Sequence, residues 1–514
     1  MSQDSRPSGV AFGDLRAAAL LAAALTIARL AVLFRSPLEL YPDEAQYWLW
    51  SRTLDFGYYS KPPMIAWSIW ATTHLGGDAE PWVRLSACLF QGAATFVVFL
   101  IGRRLYGPAV GLAAAALYGL MPGVQLSAVV AATDAPLLFF LGLTVLAYVT
   151  LPQAEGRGKA VVALGLGAAL GMAFLSKYAA IYFVIGLVLH LALSRAARAA
   201  WSWPAAGAAL LAFAVVLAPN VAWNAQHDFA TLHHTADNAA WNGVQLFNLA
   251  ALGAFVGSQF GVFGPVPLGA LLVGLYLAVK TRRLSDPDLA LLCFTLPPMV
   301  IVTAQAFISR ANANWSGAGY LAGAVLVAAC LVRWRARRWL TAAIAIQAAV
   351  AVFFLAVVLV PEFGDKTGLS NGLKRARGWA ETTRVILDRA EREPGLTAIA
   401  VNNRFLFYAV SYYGRDRLGG GAPPLVSWLL MDGPRNQAET AAPLTAAVGR
   451  RVLMVSYEGW RRAEMEADFA RATDLEIGSV WLDRRHKRRV EMFVGQGFAP
   501  RPRNTVSGLP GPAR

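Results

Sequence analysis

Charged side chains are scarce in this chain of 514 residues, since Asp, Glu, Lys and Arg together make up 15% of it. A soluble domain usually contains about 25% of these residues. Hydrophobic residues make up 56% of the chain, and apolar stretches of about 20 residues, enough to cross a hydrocarbon core, recur as far as residue 360. The shortage of charge excludes a wholly soluble protein and indicates one that crosses a membrane many times.

Cysteine is also scarce. The three cysteines, Cys88, Cys293 and Cys330, each lie within an apolar run. Such isolated positions argue against a disulfide framework and against a zinc site built on thiolates. Cysteine usage therefore says nothing about the compartment of the protein.

Acidic residues are the scarcer sign of charge, with 31 Asp and Glu against 46 Lys and Arg and a formal net charge of +15. A basic total of this size can indicate a nucleic-acid partner. Most basic residues before residue 360, however, stand in short clusters between apolar segments, as in the cytoplasmic loops of membrane proteins. We therefore expect no nucleic-acid partner.

The apolar runs predict about eleven membrane spans, or up to thirteen if further crossings lie in the run 244–279. That run is too long for one simple span and contains Gly261, Gly264 and Pro265, so we interpret it as one crossing preceded by a broken or interfacial piece. The predicted spans are residues 17–34, 85–101, 110–130, 136–151, 161–175, 179–193, 204–223, 244–279, 289–307, 317–332 and 340–360.

Basic clusters alternate with these spans and predict the orientation of the chain. The clusters that should be cytoplasmic are Arg103/Arg104, Arg157/Lys159, Arg195/Arg198, Lys280/Arg282/Arg283 and Arg333/Arg335/Arg337/Arg338. The opposite side then receives the long loop 35–82, the turn at Thr133, the loop 224–243, the segment 309–316 and everything after residue 360. Most residues of chemical interest lie on this outward side.

The sequence changes character after residue 360 and predicts a small α/β domain, residues 361–500, on the outward side. Residues 374–392 have the pattern of an amphipathic helix, and residues 396–401 and 451–456 that of short strands. The basic run 484–489 is interpreted as a solvated edge rather than a lipid-phosphate site.

The predicted fold is mainly α: a polytopic bundle in residues 1–360, with a long first periplasmic loop and the small C-terminal α/β periplasmic domain. The Pro/Gly/Arg-rich residues 501–514 are expected to be disordered.

The first outward loop carries the strongest local signal for chemistry. Asp43 and Glu44 follow the first span at the membrane boundary, where adjacent carboxylates can orient a hydroxyl, accept its proton or bind a cation. An ordinary solvated acidic pair is the plainer alternative. Lys61 stands before two prolines and is either a rigidly held cation for a phosphate or an interfacial anchor.

Asp134 and Lys177 lie at or inside span ends. Ionisable groups at such depth cost about 2.5–3.5 kcal/mol on insertion scales, so they usually line a cavity or pair with a partner. The alternative to a site is a simple Asp–Lys pair that holds two spans together.

The outward histidines His227, His233 and His234 raise the question of a metal. Their spacing does not match a compact structural zinc site, and no thiolate lies on that side. We expect neither a resident metal nor another cofactor, with a divalent cation left open.

Several motifs in order resemble a known family. Asp43-Glu-Ala-Gln-Tyr-Trp48, with Tyr59-Ser-Lys-Pro-Pro63 some fifteen residues on, is similar to the first periplasmic loop of the GT-C membrane glycosyltransferases. The resemblance is to the bacterial glycosyltransferase family 39 group, which includes relatives of protein O-mannosyltransferases and of the transferase that puts aminoarabinose on lipid A. The other matching segments are Ala132-Thr-Asp-Ala-Pro-Leu-Leu-Phe-Phe140, Phe174-Leu-Ser-Lys-Tyr178, Pro219-Asn-Val-Ala-Trp-Asn224 and Ala313-Asn-Trp315.

The resemblance implies roles for individual residues. Asp43 would be the catalytic acidic residue that polarises or deprotonates the acceptor. Lys61 and Lys177 would contact the phosphate of the donor lipid, and Asp134 would be a second acidic residue in the outward cavity. An outward-loop histidine is expected at His233 or its neighbour His234.

Arg310 could help to bind phosphate, although an arginine at an outward span end is more often an interface residue. The expected substrate-binding residues are Glu44, Tyr47, Tyr59, Lys61, Asp134, Lys177, Tyr178, His233, Arg310 and Asn314.

The resemblance implies an inverting transfer of one sugar from a polyprenyl-phosphate donor, with undecaprenyl phosphate as the expected carrier. The acceptor would be a lipid, glycan or protein at the periplasmic face of a bacterial inner membrane. A lipid flippase or transporter is the alternative from another class, because polar span ends and discontinuous spans suit it as well. The sequence identifies neither the sugar nor the acceptor nor the length of the carrier.

Overall fold

Helices dominate the first 360 residues of the computed structural model, which describes residues 12–239 and 247–502. Within these residues, eight helices are long and apolar enough to cross a membrane, and two bent helix pairs pass the same test as pairs. The shorter apolar segment Tyr178–Leu193 brings the number of apolar segments to the eleven that the sequence predicts. The polytopic helical fold is therefore confirmed.

The helices of this part follow one another with mostly short connections. They are α1 (Phe12–Leu33), α2 (Pro42–Ser51), α3 (Met64–Gly76), α4 (Glu80–Tyr106), α5 (Pro108–Gly119), α6 (Pro122–Val129), α7 (Asp134–Thr150), α8 (Gly156–Ser176), α9 (Ile181–Leu193), α10 (Arg195–Ala199), α11 (Trp203–Gln226), α12 (Ala230–Ala239), α13 (Leu249–Val262), α14 (Pro265–Thr281), α15 (Asp286–Ile308), α16 (Gly317–Arg333) and α17 (Arg337–Leu359).

Start signals in the sequence fix several of these helices. The side chains of Ser202, Asn248 and Ser285 each accept a backbone N–H from the first turn of α11, α13 and α15. Such N-caps satisfy donors that the helix leaves without a partner. The helices therefore begin where a small polar residue precedes an apolar run.

Two of the predicted spans are broken. The segment predicted as one span at 110–130 is the pair α5 and α6, bent by 59°, with Pro122 at the start of α6. The long run 244–279 is the pair α13 and α14, bent by 110°, because Gly264 takes a φ of +99° and Pro265 starts the next helix. The break that the sequence predicts in this run is thus confirmed for its described residues.

The outer ends of α1 and α17 meet, since the Ser36 hydroxyl donates to the carbonyl of Val358 at 2.9 Å. Residues 34–63 and 361–502 lie beyond these ends, and this side of the bundle is called the loop side below. The first loop is not extended chain but folds into the helices α2 and α3.

The C-terminal part forms a small sheet with helices packed against it. Its elements are α18 (Pro361–Lys366), α19 (Ser370–Leu373), α20 (Trp379–Arg392), β1 (Ala398–Val401), α21 (Arg404–Tyr413), α22 (Arg415–Leu418), β2 (Leu425–Ser427), α23 (Gln437–Ala441), β3 (Arg451–Ser456), α24 (Arg462–Glu466), β4 (Phe469–Asp474), β5 (Gly478–Trp481) and β6 (Lys487–Phe498). The strand order is β2-β1-β3-β6-β4, and β5 pairs with β6. β1 is parallel to both β2 and β3, whereas β6 is antiparallel to its neighbours.

The predicted elements of this part agree with the structure apart from their ends. The predicted strand 451–456 coincides with β3, and the predicted strand 396–401 contains β1. The predicted helix 374–392 begins as α20 only at Trp379, because Gly378 before it has a φ of +72°. Of the tail expected to be disordered, residues 503–514 lie outside the described residues.

One residue of the basic run 484–489 departs from the interpretation as a solvated edge. Arg488 is 8% exposed, and its guanidinium lies 3.5 Å from the centre of the Trp379 ring. Its Nη1 donates to the carbonyl of Gly378 and the hydroxyl of Thr382, each at 3.0 Å. Burial lowers the pKa of Arg488 to about 10. The side chain is thus part of the packing between β6 and α20.

The first loop and the C-terminal part share one hydrophobic core. One cluster of buried side chains contains Trp48 and Ile69 of the first loop together with Ile386 and Tyr412 of the C-terminal part. The Trp48 and Tyr412 rings meet edge to face at 4.9 Å. The hydroxyl of Tyr413 also accepts the backbone N–H of Leu40 at 2.8 Å. Neither part can bury its apolar face without the other.

The shared core predicts that damage to α21 unfolds the first loop. Tyr412→Ala removes the ring against Trp48 and the hydrogen bond from its hydroxyl to the carbonyl of Asp78, so we expect a loss of about 3–5 kcal/mol of stability. Limited proteolysis should then cut within residues 40–60. Leu444→Ala is the matched control, because Leu444 is buried in a separate cluster. Equal cleavage of the loop in both variants would contradict the shared core.

Candidate active site

Glu44 fixes the start of α2. Its side chain has no exposed surface, and its Oε1 accepts Arg84 Nε at 2.9 Å and the backbone N–H of Ala131 at 2.7 Å. Its Oε2 accepts Arg84 Nη2 at 2.7 Å and the backbone N–H of Tyr41 at 2.8 Å. Arg84 in turn donates to the carbonyl of Leu38 at 3.0 Å. The expected substrate contact of Glu44 is thus replaced by a buried ion pair that holds the loop.

Asp43, the neighbouring residue, points away from this pair. Its side chain is 55% exposed, and its Oδ1 accepts Arg404 Nη1 at 2.9 Å. The same Nη1 donates to Oε1 of Gln46 at 2.6 Å. The two adjacent carboxylates therefore have different surroundings, one buried and neutralised by Arg84 and one accessible at the surface of the loop side.

Lys61 lies in the electric field of four charged side chains, which are those of Asp43, Asp134, Lys177 and Arg404. The pKa of Lys61 is lowered to about 8, mainly by burial and also by the ammonium of Lys177 and the guanidinium of Arg404. The carboxylates of Asp43 and Asp134 act in the opposite direction. Among the described residues, the Lys61 ammonium has neither a hydrogen-bond nor an ion-pair partner, so the part of the site around it has an uncompensated positive charge.

Asp134 and Lys177 form an ion pair with a length of 2.9 Å between Oδ1 and Nζ. The Asp134 side chain is 19% exposed and that of Lys177 is 21% exposed. Oδ2 of Asp134 also accepts Nδ2 of Asn314 at 3.3 Å. The first residue of α7, the residue after α8 and the turn before α16 are thus joined at one point on the loop side. The pair predicted as an alternative exists, and it is accessible to solvent.

A cavity of about 660 Å³ opens beside these residues. The larger part of its wall is apolar, and its polar lining residues include Ser60, Lys61, Lys177, Asn220, Asn224, Thr235 and Gln305. The apolar lining residues are Pro62, Phe174, Ala179, Ile181, Leu217, Val221, Phe229, Leu232, Ile301 and Val302. A cavity lined by two lysines and a mostly apolar wall suits an amphipathic molecule with an anionic head.

Tyr178 orders one wall of this cavity. Its hydroxyl donates to Oδ1 of Asn220 at 2.9 Å and accepts Nδ2 of Asn224 at 3.1 Å. Nδ2 of Asn220 donates to the carbonyl of Phe56 at 2.6 Å. This chain of bonds ties α11 to the first loop. Gly57 in that loop must be glycine, because an added Cβ would lie 2.3 Å from the Trp223 ring.

The other expected residues lie at different distances from the cavity. Tyr47 is buried, and burial raises the pKa of its phenol above the usual range. The Tyr59 ring contacts His234, with centroids 5.8 Å apart, whereas His233 is exposed on α12. Arg310 is exposed as well. The structure therefore brings Lys61, Asp134, Lys177, Tyr178 and Asn314 together and places His234 rather than His233 against the first loop.

Three residues of the site were missed in the sequence. Arg404 lies more than 300 residues from Asp43 along the chain. Gln46 stands inside the motif that begins at Asp43 but was not singled out. Arg84 comes just before the predicted span 85–101, where a charge requires a partner. No group of three or more His, Cys, Asp or Glu residues suitable for a metal occurs among residues 12–239 and 247–502.

Comparison with solved structures defines the class of the fold. The chain superposes on ArnT of Cupriavidus metallidurans with a TM-score of 0.65 at 14% identity in the apo state, covering 94% of this chain and 98% of that one. The same protein bound to undecaprenyl phosphate gives a TM-score of 0.65 at 16% identity, covering 96% and 100%. The fold is that of a multi-pass membrane protein of the ArnT type.

Sequence comparison adds the family. Residues 60–223 match the family described as dolichyl-phosphate-mannose-protein mannosyltransferase. A lipid A galacturonosyltransferase of Rhizobium johnstonii is 37% identical over 406 residues, which cover 78% of this chain and 83% of the relative. An undecaprenyl phosphate-alpha-4-amino-4-deoxy-L-arabinose arabinosyl transferase of Pseudomonas fluorescens is 30% identical over 150 residues, or 26% and 27% of the two chains. The chain belongs to the GT-C membrane glycosyltransferases, in the family 39 group, and is a glycosyltransferase.

The contrast between the two adjacent carboxylates predicts that two conservative substitutions differ strongly in their effect on stability. Glu44→Gln leaves the guanidinium of Arg84 buried without a counter-charge, so the free energy of unfolding should fall by about 3–5 kcal/mol. Asp43→Asn removes a partly exposed ion pair and should change stability by about 1 kcal/mol or less. Thermal unfolding in detergent measures both, and an equal loss in the two variants would contradict the assignment.

Proposed function

We propose that the enzyme transfers one sugar from a polyprenyl-phosphate carrier to an acceptor on the loop side of the membrane, with inversion at the anomeric carbon. The observation that supports this most directly is the cavity that Lys61 and Lys177 line together with a mostly apolar wall. A polyprenyl phosphate has the same division into an anionic head and an apolar chain. The binding of undecaprenyl phosphate by the structural relative agrees with such a carrier.

The proposed chemistry is a single displacement. An acceptor hydroxyl attacks the anomeric carbon while the bond from that carbon to the carrier phosphate oxygen breaks, and the electron pair stays on the phosphate. Lys61 and Lys177 stabilise the charge that collects on the phosphate oxygens. Asp43 accepts the proton of the hydroxyl, a role that typically contributes about 10²–10⁴-fold to the rate. If the acceptor is itself a phosphate, Asp43 orients it instead.

The proposed role of Asp134 is to hold Lys177 in place after α8 through the 2.9 Å ion pair. Tyr178 and Asn314 maintain the wall and the mouth of the cavity. The residues proposed to lie near the bound substrates are Tyr47, Tyr59, His233 or His234, and Arg310. Glu44 acts on the site only by fixing α2.

The proposed sugar is galacturonic acid, and the proposed acceptor is a lipid A-type molecule. The support is the 37% identical relative, which is named as a lipid A galacturonosyltransferase. The basic clusters at the bundle end opposite the loop side favour a bacterial inner membrane with the site in the periplasm. None of the relatives described above is named as a flippase, so transport of a lipid has no support.

The first experiment compares the wild type with Asp43→Asn in lipid bilayers. A panel of polyprenyl-phosphate sugars serves as donors and crude envelope lipid as acceptor. We expect acceptor-dependent turnover in the wild type, a loss of about 10²–10⁴-fold in the variant, and an unchanged dissociation constant for undecaprenyl phosphate. Lipid movement across the bilayer without sugar transfer would instead favour the flippase.

The lowered pKa of Lys61 predicts how carrier binding depends on pH. The ammonium is charged below its pKa of about 8 and neutral above it, so the affinity for undecaprenyl phosphate should fall as the pH rises through 8, by up to about tenfold per pH unit. Binding measured between pH 6.5 and 9.5 tests this. Lys61→Arg is the control and should bind without that decline, since a guanidinium stays charged. The same decline in both proteins would assign the effect to another group.

A further inference from the structure

The carboxyl ends of two parallel strands in the C-terminal part face the first loop. β1 lies between β2 and β3, and the chain continues from β1 to β2 on one side while β3 lies on the other. In open sheets of this kind, ligands bind outside the carboxyl ends of the strands at the point where the strand order reverses. Asn402, Asn403 and Arg404 follow β1, and Glu458 follows β3 at this edge.

Polar groups at this edge are not fully used within the protein. The side-chain amide of Asn402 is buried, and neither its oxygen nor its nitrogen has a hydrogen-bond partner among the described residues. Buried polar groups normally have partners. The neighbouring Asn403 is fixed, since its Nδ2 donates to Oε1 of Glu458 at 2.7 Å and its Oδ1 accepts the N–H of Phe405 at 2.8 Å. The fixed Asn403 sets the position from which Arg404 starts α21.

Arg404 connects this edge of the sheet to Asp43 through Nη1 of its guanidinium. Nη1 makes both of its bonds, to Asp43 and Gln46, whereas Nε and Nη2 donate to no residue in the described part of the chain. Nε and Nη2 together form the edge of a guanidinium that binds a carboxylate or phosphate with two parallel hydrogen bonds. The side chain is 37% exposed, so this edge can be reached from solvent.

We infer that the free edge of Arg404 is a binding site for an oxyanion of the substrates, supplied by the C-terminal part to the site on the first loop. The oxyanion is either the carboxylate of the transferred sugar or a phosphate or carboxylate of the acceptor. Its binding draws the guanidinium away from Asp43, so that Asp43 is released to take the acceptor proton only when the charged substrate is in place. This inference rests on the proposed function and adds the substrate class that the enzyme selects.

The accessible Asp43–Arg404 pair suits such an exchange. An ion pair that is open to solvent is weak, and a second anion can replace one of its partners. The buried pair of Glu44 and Arg84 next to it has no exposed carboxylate and stays intact during the exchange. Of the two adjacent residues, Glu44 thus fixes the loop, and Asp43 makes the ion pair that can be exchanged.

The test uses two matched substrate pairs in steady-state assays of the wild type, Arg404→Gln and Arg417→Gln. The donor pair is polyprenyl-phosphate galacturonic acid and polyprenyl-phosphate galactose, which differ in the carboxylate. The acceptor pair is lipid A with and without its phosphate groups. Arg417→Gln is the control, because Arg417 has a similar exposure of 33% and pairs with Asp388 and Glu391 away from the site.

We expect the wild type and Arg417→Gln to prefer the charged member of at least one pair by about 10–100-fold in kcat/KM. Arg404→Gln should lose that preference in two ways. KM for the charged member rises because its oxyanion has lost the guanidinium, and kcat/KM for the neutral member rises because Asp43 is free without an oxyanion. Loss with the donor pair identifies the sugar carboxylate as the oxyanion, and loss with the acceptor pair identifies the acceptor.

Two results would overturn the inference. One is a preference that persists in Arg404→Gln, and the other is an equal loss of activity with charged and neutral substrates, which would mean that Arg404 only orients Asp43. A wild type without any preference overturns the inference as well, while its turnover would still support the proposed function. A wild type that uses no polyprenyl-phosphate sugar at all contradicts the proposed function itself.

Discussion

The buried ion pair of Glu44 and Arg84 determines where the first loop lies on the helical bundle. Arg84 belongs to α4, which crosses the bundle, and Glu44 belongs to α2, which lies above it. The four hydrogen bonds of the Glu44 carboxylate tie α2, the turn before α7 and the loop after α1 to one point. A pair without solvent access is costly to form but more costly to break once formed. The exposed position of Asp43 follows from it, because consecutive residues of a helix point in different directions.

The site also depends on an imbalance of charge that no single pair removes. Asp134 neutralises Lys177 and Arg404 neutralises part of Asp43, whereas Lys61 keeps its ammonium partly buried without a partner in the described residues. Such a group is preorganised to bind an anion, because folding has already removed part of its hydration. The mostly apolar lining of the cavity matches the chain of a lipid better than it matches a small soluble molecule, which is the basis of the proposed carrier.

Most of the fold could be predicted from the sequence because apolar runs and prolines act locally. The eleven apolar segments, the break near Gly264 and the strand 451–456 are all set by residues within one turn or one strand. Asp134 and Lys177 could be paired because charges inside spans require partners. The contact between Arg404 and Asp43 could not, since it depends on how a distant sheet packs on the loop. Apart from the resemblance, which gave Asp43 the catalytic role, the sequence did not distinguish Glu44 from Asp43, because the burial of neighbouring side chains is decided only by packing.

The core shared by the first loop and the C-terminal part has a consequence for the synthesis of the protein. α2 is complete about 350 residues before α21 is made, so its tryptophans have no partner surface for roughly 20–70 s at usual rates of translation. During this time the apolar surface of the first loop lacks the cover that it has in the folded protein, and the shared core is complete only after α21 has been made.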